Sequence, residues 1–198
     1  MYLPVGIQAT SAERILATAL DQFATKGYDA TSVREICEAA GITKPTLYHF
    51  FGSKDGVLQA LVNTGFQQYR ALVNTAMDTP GSVQDRVKVL ARAGFDSAST
   101  KPLFWRFIHS VIWAPPGTAL PQTENCTQFY DGVVGVLAAA ADKAVARGEI
   151  APGPTGARML ILMGAISEAA TGFVIAGKPE LTPELADDIV ETIFNGWQ

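Results

Sequence analysis

Lys44, Thr46, Tyr48 and His49 stand close together in the stretch Lys-Pro-Thr-Leu-Tyr-His-Phe-Phe that begins at residue 44. An ammonium, a hydroxyl, a phenol and an imidazole offered from one short helix can meet base edges and phosphates. Lysine donates to guanine O6 and N7, and proline or threonine can lie against a thymine methyl. Leu47 and Phe51 lie one helical turn apart, so both face inward if this stretch is helical, and the polar groups are left outside. The chemistry on offer is the reading of a groove.

Such side chains need a rigid base, and the preceding residues supply one. Ser32 and Glu35 form a capping box, and Val33, Ile36, Cys37 and Ala40 fall on one face of the helix it opens. Gly41 sits where a short turn wants a positive φ, which glycine adopts without steric cost, and Ile42 plugs the angle between the helices. Thr43 is the N-cap of the second helix, and Pro45 falls in its first turn, where a missing N–H removes nothing the helix would use. Residues 31 to 55 therefore read as a helix-turn-helix followed by the capped start of a third helix.

The same residues carry a resemblance to the tetracycline-repressor (TetR) family of bacterial transcription regulators. It rests on Ala40-Gly41-Ile42-Thr43, Thr46-Leu47-Tyr48, Phe51, and Ser53-Lys54 ahead of Val57-Leu58. The resemblance implies that Arg34, Lys44, Pro45, Thr46 and His49 touch bases of a double-stranded DNA operator. It implies that Ser32, Tyr48 and Lys54 touch phosphates, with Thr43 among the DNA contacts; first-turn amides near Lys54 also favour a phosphate. Phe50 departs from the pattern, standing where the family more often has His or Tyr, and a phenyl ring cannot bond a phosphate.

Composition bounds the alternatives. The chain has 198 residues, 48% apolar and 17% charged, enough to bury a full core. No run of apolar residues is long enough to span a bilayer, and Met1-Tyr2-Leu3-Pro4 lacks the basic and apolar regions of a leader, so a cytoplasmic protein with no membrane partner is expected. Cys37 and Cys126 read as two buried free thiols of a reducing compartment, with a disulfide the lesser alternative. The net charge of −4 argues against nucleic acid. In the first 55 residues Arg14, Lys26, Arg34, Lys44 and Lys54 face Glu13, Asp21, Asp29, Glu35, Glu38 and Asp55. Placement decides, because Arg34, Lys44 and Lys54 take the proposed DNA-facing positions, while Glu13, Asp21 and Asp29 precede the motif.

The rest of the chain reads as helical. Ser11 can cap a first helix ending at Lys26-Gly27, and a long helix from Ser53 to about Met77 would span about 36 Å. Beyond the break Thr79-Pro80-Gly81-Ser82, helices are expected from residue 82 or 83 to 99, 101 to 110, 122 to 147, 157 to 176 and 182 to 197. Thr182 and Pro183 open the last. The expected class is all-α, about nine helices. The family arrangement divides it into a helix-turn-helix DNA-binding domain, residues 1–55, and a helical ligand-binding and dimerisation domain, residues 56–198.

Two further groups are candidates for sites. Phe104, Trp105, His109, Trp113 and Tyr130, with Phe66, Tyr69 and Met163, combine aromatic area with few polar groups, which suits ordinary core or a pocket for an apolar or aromatic small-molecule effector. The last two helices are apolar on more than one face. Leu160, Gly164, Glu168, Ile189, Ile193 and Trp197 could form a homodimer interface, as the family does, or ordinary core. No phosphate-cradling glycine loop, nucleophile elbow or metal-spaced Cys/His cluster is present, so neither an enzyme nor a cofactor is expected. The acidic balance and Phe50 leave one alternative open, a helical small-molecule or protein-binding module with a degenerate helix-turn-helix.

Overall fold

The computed structural model describes residues 10–112 and 124–196, with the backbone alone over 124–130. Among the described residues there are nine α-helices and no strand. They are α1 (Ser11–Lys26), α2 (Val33–Ala40), α3 (Lys44–Phe51), α4 (Lys54–Asp78), α5 (Val83–Thr100), α6 (Pro102–Ile112), α7 (Glu124–Ala146), α8 (Thr155–Ala176) and α9 (Pro183–Asn195).

The helix starts follow from side-chain caps. Thr10, one residue earlier than expected, caps α1: its hydroxyl accepts from the Glu13 amide at 3.2 Å and the Glu13 carboxylate reaches back to the Thr10 N–H. Ser32 with Glu35 and Ser82 with Asp85 repeat this reciprocal capping at α2 and α5. Thr182 caps α9 with Pro183 in its first turn. Pro154 precedes α8 and offers no side-chain cap; the helix begins at Thr155, two residues before the expected start.

The chain forms two compact units, Met1–Phe66 with Arg106–Gln122, and Gln67–Trp105 with Thr123–Gln198. The domain boundary expected at residue 55 falls within the first turn of α4, and the compact units divide further along that helix. Val57, Leu58, Leu61 and Val62 of its first turns are all buried. In the first unit α1, α2 and α3 pack on one another, and Ile15, Ala19, Ile36 and Leu47 are shut off from solvent completely.

The second unit buries Val87, Leu90, Phe95, Leu137, Met159, Leu162, Val190 and Phe194 in one continuous cluster. Its helix α5 packs on α8 and α9, and ion pairs Lys88–Glu191 and Arg92–Asp187 tie α5 to α9 along the rim. By length and composition α8 could cross a membrane. One side of the helix packs on α5, α7 and α9, with Met159, Leu162, Ala170 and Val174 turned inward, and the opposite side is exposed at Leu160, Ile161 and Ile175.

Candidate nucleic-acid interface

The short helix α3 is positioned by a cap and a turn. Gly41 adopts φ 62°, ψ 42°, the left-handed conformation that closes α2 and redirects the chain. Thr43 then caps α3, its hydroxyl accepting from the Thr46 N–H at 3.4 Å and lying 2.9 Å from the Thr46 hydroxyl. Leu47 points inward and is fully buried, while Lys44, Pro45, Tyr48 and His49 are exposed and Thr46 is half-buried. At the far end of α3, Phe50 is 49% exposed and meets the His49 ring edge-on at 5.3 Å between centroids. The helix thus presents one cation, two aromatic rings with polar tips and one apolar ring. At Gly56 in the first turn of α4, a Cβ would collide with the carbonyl of Phe51, so glycine lets α4 close up against the end of α3.

Ser32 and Arg34 stand at the start of α2. Both are exposed, and the Arg34 guanidinium lies 3.8 Å from the Glu38 carboxylate in a pair open to solvent, a contact weak enough to be exchanged for a phosphate or a base. Glu35 is pulled from 4.5 down to about 2, first by the Ser32 backbone N–H, then by the Ser32 hydroxyl and Lys26. Burial pushes the Cys37 thiol up, which keeps it protonated.

Lys54 occupies a different situation from the one expected of a phosphate ligand. Its ammonium donates to the carbonyls of Tyr28 and Thr31, each at 2.9 Å, and lies 4.0 Å from the centre of the Tyr28 ring. The neighbouring Asp55 accepts the Tyr28 hydroxyl. Burial first, then this hydrogen bond and the Asp55 charge, hold the phenol above its ordinary range. Neither Tyr28 nor Thr31 stood out in the sequence. No local signal marked them, because Tyr28 and Thr31 lie 26 and 23 residues from Lys54 in the chain.

The residues expected to line an effector pocket are divided between the units. Phe66 and His109 belong to the first and Tyr69, Phe104, Trp105 and Met163 to the second. Phe66 is buried; Trp105 is half-buried, with its indole N–H directed at the Ser97 hydroxyl at 3.4 Å. Tyr69 and Met163 pack against the core of the second unit. Trp113 and the side chain of Tyr130 lie outside the described residues, as do Trp197 and Cys126.

Of the residues expected at a dimer interface, Leu160, Gly164 and Glu168 are exposed on α8, together with Ile161 and Ile175, which the sequence reading did not single out. Ile189 and Ile193 are half-buried against the unit's own core, because the outer face of α9 is taken by Glu184, Asp188, Glu191 and Asn195.

An all-helical chain that carries a capped helix-turn-helix in its first compact unit is a helix-turn-helix protein. The sequence model of bacterial regulatory proteins of the tetR family matches residues 15–61, from α1 into α4. Over 129 residues the chain is 31% identical to the HTH-type transcriptional repressor KstR2 of Rhodococcus jostii (strain RHA1), a match covering 63% of this chain and 62% of KstR2. That is under two thirds of the relative's length. The fold extends further. The fatty acid degradation regulator FadR from Bacillus halodurans superposes with a TM-score of 0.80 at 19% identity, over 96% of this chain and 97% of FadR. The transcriptional regulator FadR from Bacillus subtilis, solved in complex with stearoyl-CoA, does so at 0.78 and 19% identity, over 93% and 98%. Residues 15–61, from α1 into α4, thus belong to the tetR family of bacterial regulatory proteins.

Proposed function

We propose that this protein is a sequence-specific DNA-binding transcriptional regulator, a cytoplasmic homodimeric repressor released from its operator by a small apolar or aromatic ligand. The observation that carries the reading is the outward face of α3, where Lys44, Pro45, Tyr48 and His49 are exposed around a fully buried Leu47. A helix so anchored can enter a major groove, and a two-fold dimer would read half-sites about 34–36 Å apart.

The exposed apolar stripe of α8 supports the dimer. Ala157, Ile161, Gly164 and Ile175 recur at helical spacing, with the Glu168 carboxylate among them, on a face that the chain itself leaves uncovered. For the effector, the aromatic segment around Phe104, Trp105 and His109 offers apolar area with few hydrogen-bonding groups. Support of the same kind comes from the Bacillus subtilis fold relative, whose stearoyl-CoA carries a long apolar acyl chain.

Selection of duplexes from a random pool on the purified protein, followed by gel retardation, tests the reading. Enrichment of an inverted repeat is the expected result. Recovery of no preferred duplex, together with small-molecule binding, would favour the module with a degenerate helix-turn-helix that the net charge of −4 leaves open.

A further inference from the structure

We infer that Lys54 is a positioning residue for operator binding, a clamp that fixes the entry to α2, and not a ligand of the DNA backbone. The inference rests on the regulator reading given above and refines it.

The turn between α1 and α2 is closed on itself. The Thr31 N–H donates to the Tyr28 carbonyl at 3.2 Å, and the Thr31 hydroxyl donates to the Gly27 carbonyl at 2.8 Å. Lys54 enters this turn from the first residue of α4 and bonds both the Tyr28 and the Thr31 carbonyl. Two of the three ammonium protons are thereby used, and the charge rests on the Tyr28 ring face. Asp55 grips the other end of the same tyrosine. Tyr28 and Thr31 are 6% and 1% exposed, so release of the ammonium would strand the Thr31 carbonyl, away from water, without its partner. A phosphate offered to Lys54 finds one ammonium proton left, or has to displace one of two charge-assisted bonds already made.

Thr31 is followed directly by Ser32, whose hydroxyl caps α2 and whose N–H meets the Glu35 carboxylate at 2.8 Å. By holding the Thr31 carbonyl, Lys54 fixes the backbone from which Ser32 and Arg34 are presented. The same residue opens α4, so any displacement of that helix's first turn is delivered to the start of α2. Lys54 thus acts through Thr31 and Ser32.

The test compares Lys54→Gln and Tyr28→Phe with wild type on a selected operator and on an unrelated duplex, over a range of salt and well below each variant's melting temperature. A phosphate contact contributes about 0.9 to the slope of log affinity against log salt. Positioning predicts that Lys54→Gln weakens operator binding by at least about tenfold, the scale of one charge-assisted hydrogen bond. It also predicts an unchanged salt slope and little loss on the unrelated duplex. Tyr28→Phe, which keeps the carbonyl and the ring, should lose less. A slope reduced by about one ion with equal loss on both duplexes, or unchanged operator affinity, overturns the inference. If Lys54→Gln does not fold, the ammonium proton signal of Lys54 in the wild type decides. It should be protected from exchange in the free protein and unmoved by operator; a shift on adding DNA overturns the inference. Failure of the wild type to select any duplex removes the regulator reading itself, whereas the protected ammonium in the free protein reports on the clamp alone.

Discussion

The ring of Phe107 in α6 stacks on that of Phe23 in α1, with centroids 6.3 Å apart and planes 22° from parallel. Phe23 in turn tilts against Tyr28 at 5.2 Å, so a packed line of rings leads from α6 to the tyrosine held by Lys54 and Asp55. Phe107 is 1% exposed and Phe23 3%. Phe107→Ala should therefore lower stability by about 3–5 kcal/mol, through lost burial and the cavity left behind. Denaturant unfolding measures this directly, and a loss under about 1 kcal/mol would mean that the site collapses to fill the gap.

Lys44 is exposed at the first position of α3, beside the other outward side chains of that helix. Lys44→Ala should relax the preference at one position of each half-site by about 1–3 kcal/mol while leaving the remaining positions unchanged. Binding measured against a panel of single-base operator variants separates this from a general loss, which would assign Lys44 to the backbone instead.

Ile161 is 60% exposed on the outer face of α8. In the proposed dimer, Ile161→Asp or Gly164→Glu would place an unpaired charge between the two copies, at a cost on the order of several kcal/mol per dimer, and sedimentation should then find monomers that remain folded. Ile193→Asp makes the contrast: Ile193 packs on the core of its own chain, so this change should unfold the second unit. A dimer that survives both α8 substitutions would put the interface elsewhere.

Acid should weaken the fold through its caps and ties. Glu35 is lowered from 4.5 to about 2, chiefly by the Ser32 backbone bond, and Asp85, Glu149 and Asp187 shift in the same direction through Ser82, Arg147 and Arg92. A carboxylate with a lowered folded-state pKa stabilises the fold above its unfolded value and loses that contribution as pH falls toward the folded one. The Glu35 contribution is then present above pH 4.5 and lost between 4.5 and about 2. Melting temperatures across this interval should fall less steeply in Glu35→Gln than in wild type, and identical slopes would show that Glu35 has the same affinity for protons folded and unfolded.

Effector binding should be visible in tryptophan fluorescence and coupled to operator release. A ligand shifts operator affinity only by its preference for one of two arrangements, typically about 1–3 kcal/mol. Trp105→Ala should weaken the response to an apolar ligand found by screening. A ligand that quenches fluorescence at saturation without changing operator affinity would break the coupling, and an undiminished response in Trp105→Ala would move the pocket away from that residue.

Local interactions were legible from residue types alone. Ser32 with Glu35, Gly41, Thr43 with Pro45, and Thr182 with Pro183 state where helices begin and end within a few residues of chain, and each sits in the structure in that role. The inward placement of Leu47 and outward placement of Lys44 and His49 follow from helical periodicity for the same reason. Partners distant in sequence were not legible. An ammonium in an α4 first turn is equally suited to a phosphate and to a carbonyl, and only the packing that brings Tyr28 and Thr31 to Lys54 chooses between them. Likewise Ile161 and Ile193 are the same residue type on the last two helices, which are apolar on more than one face. What left one outward and turned the other onto the core was the packing of α5, α7 and α9 on one side of α8 alone, a matter of which helical faces run out of neighbours in three dimensions.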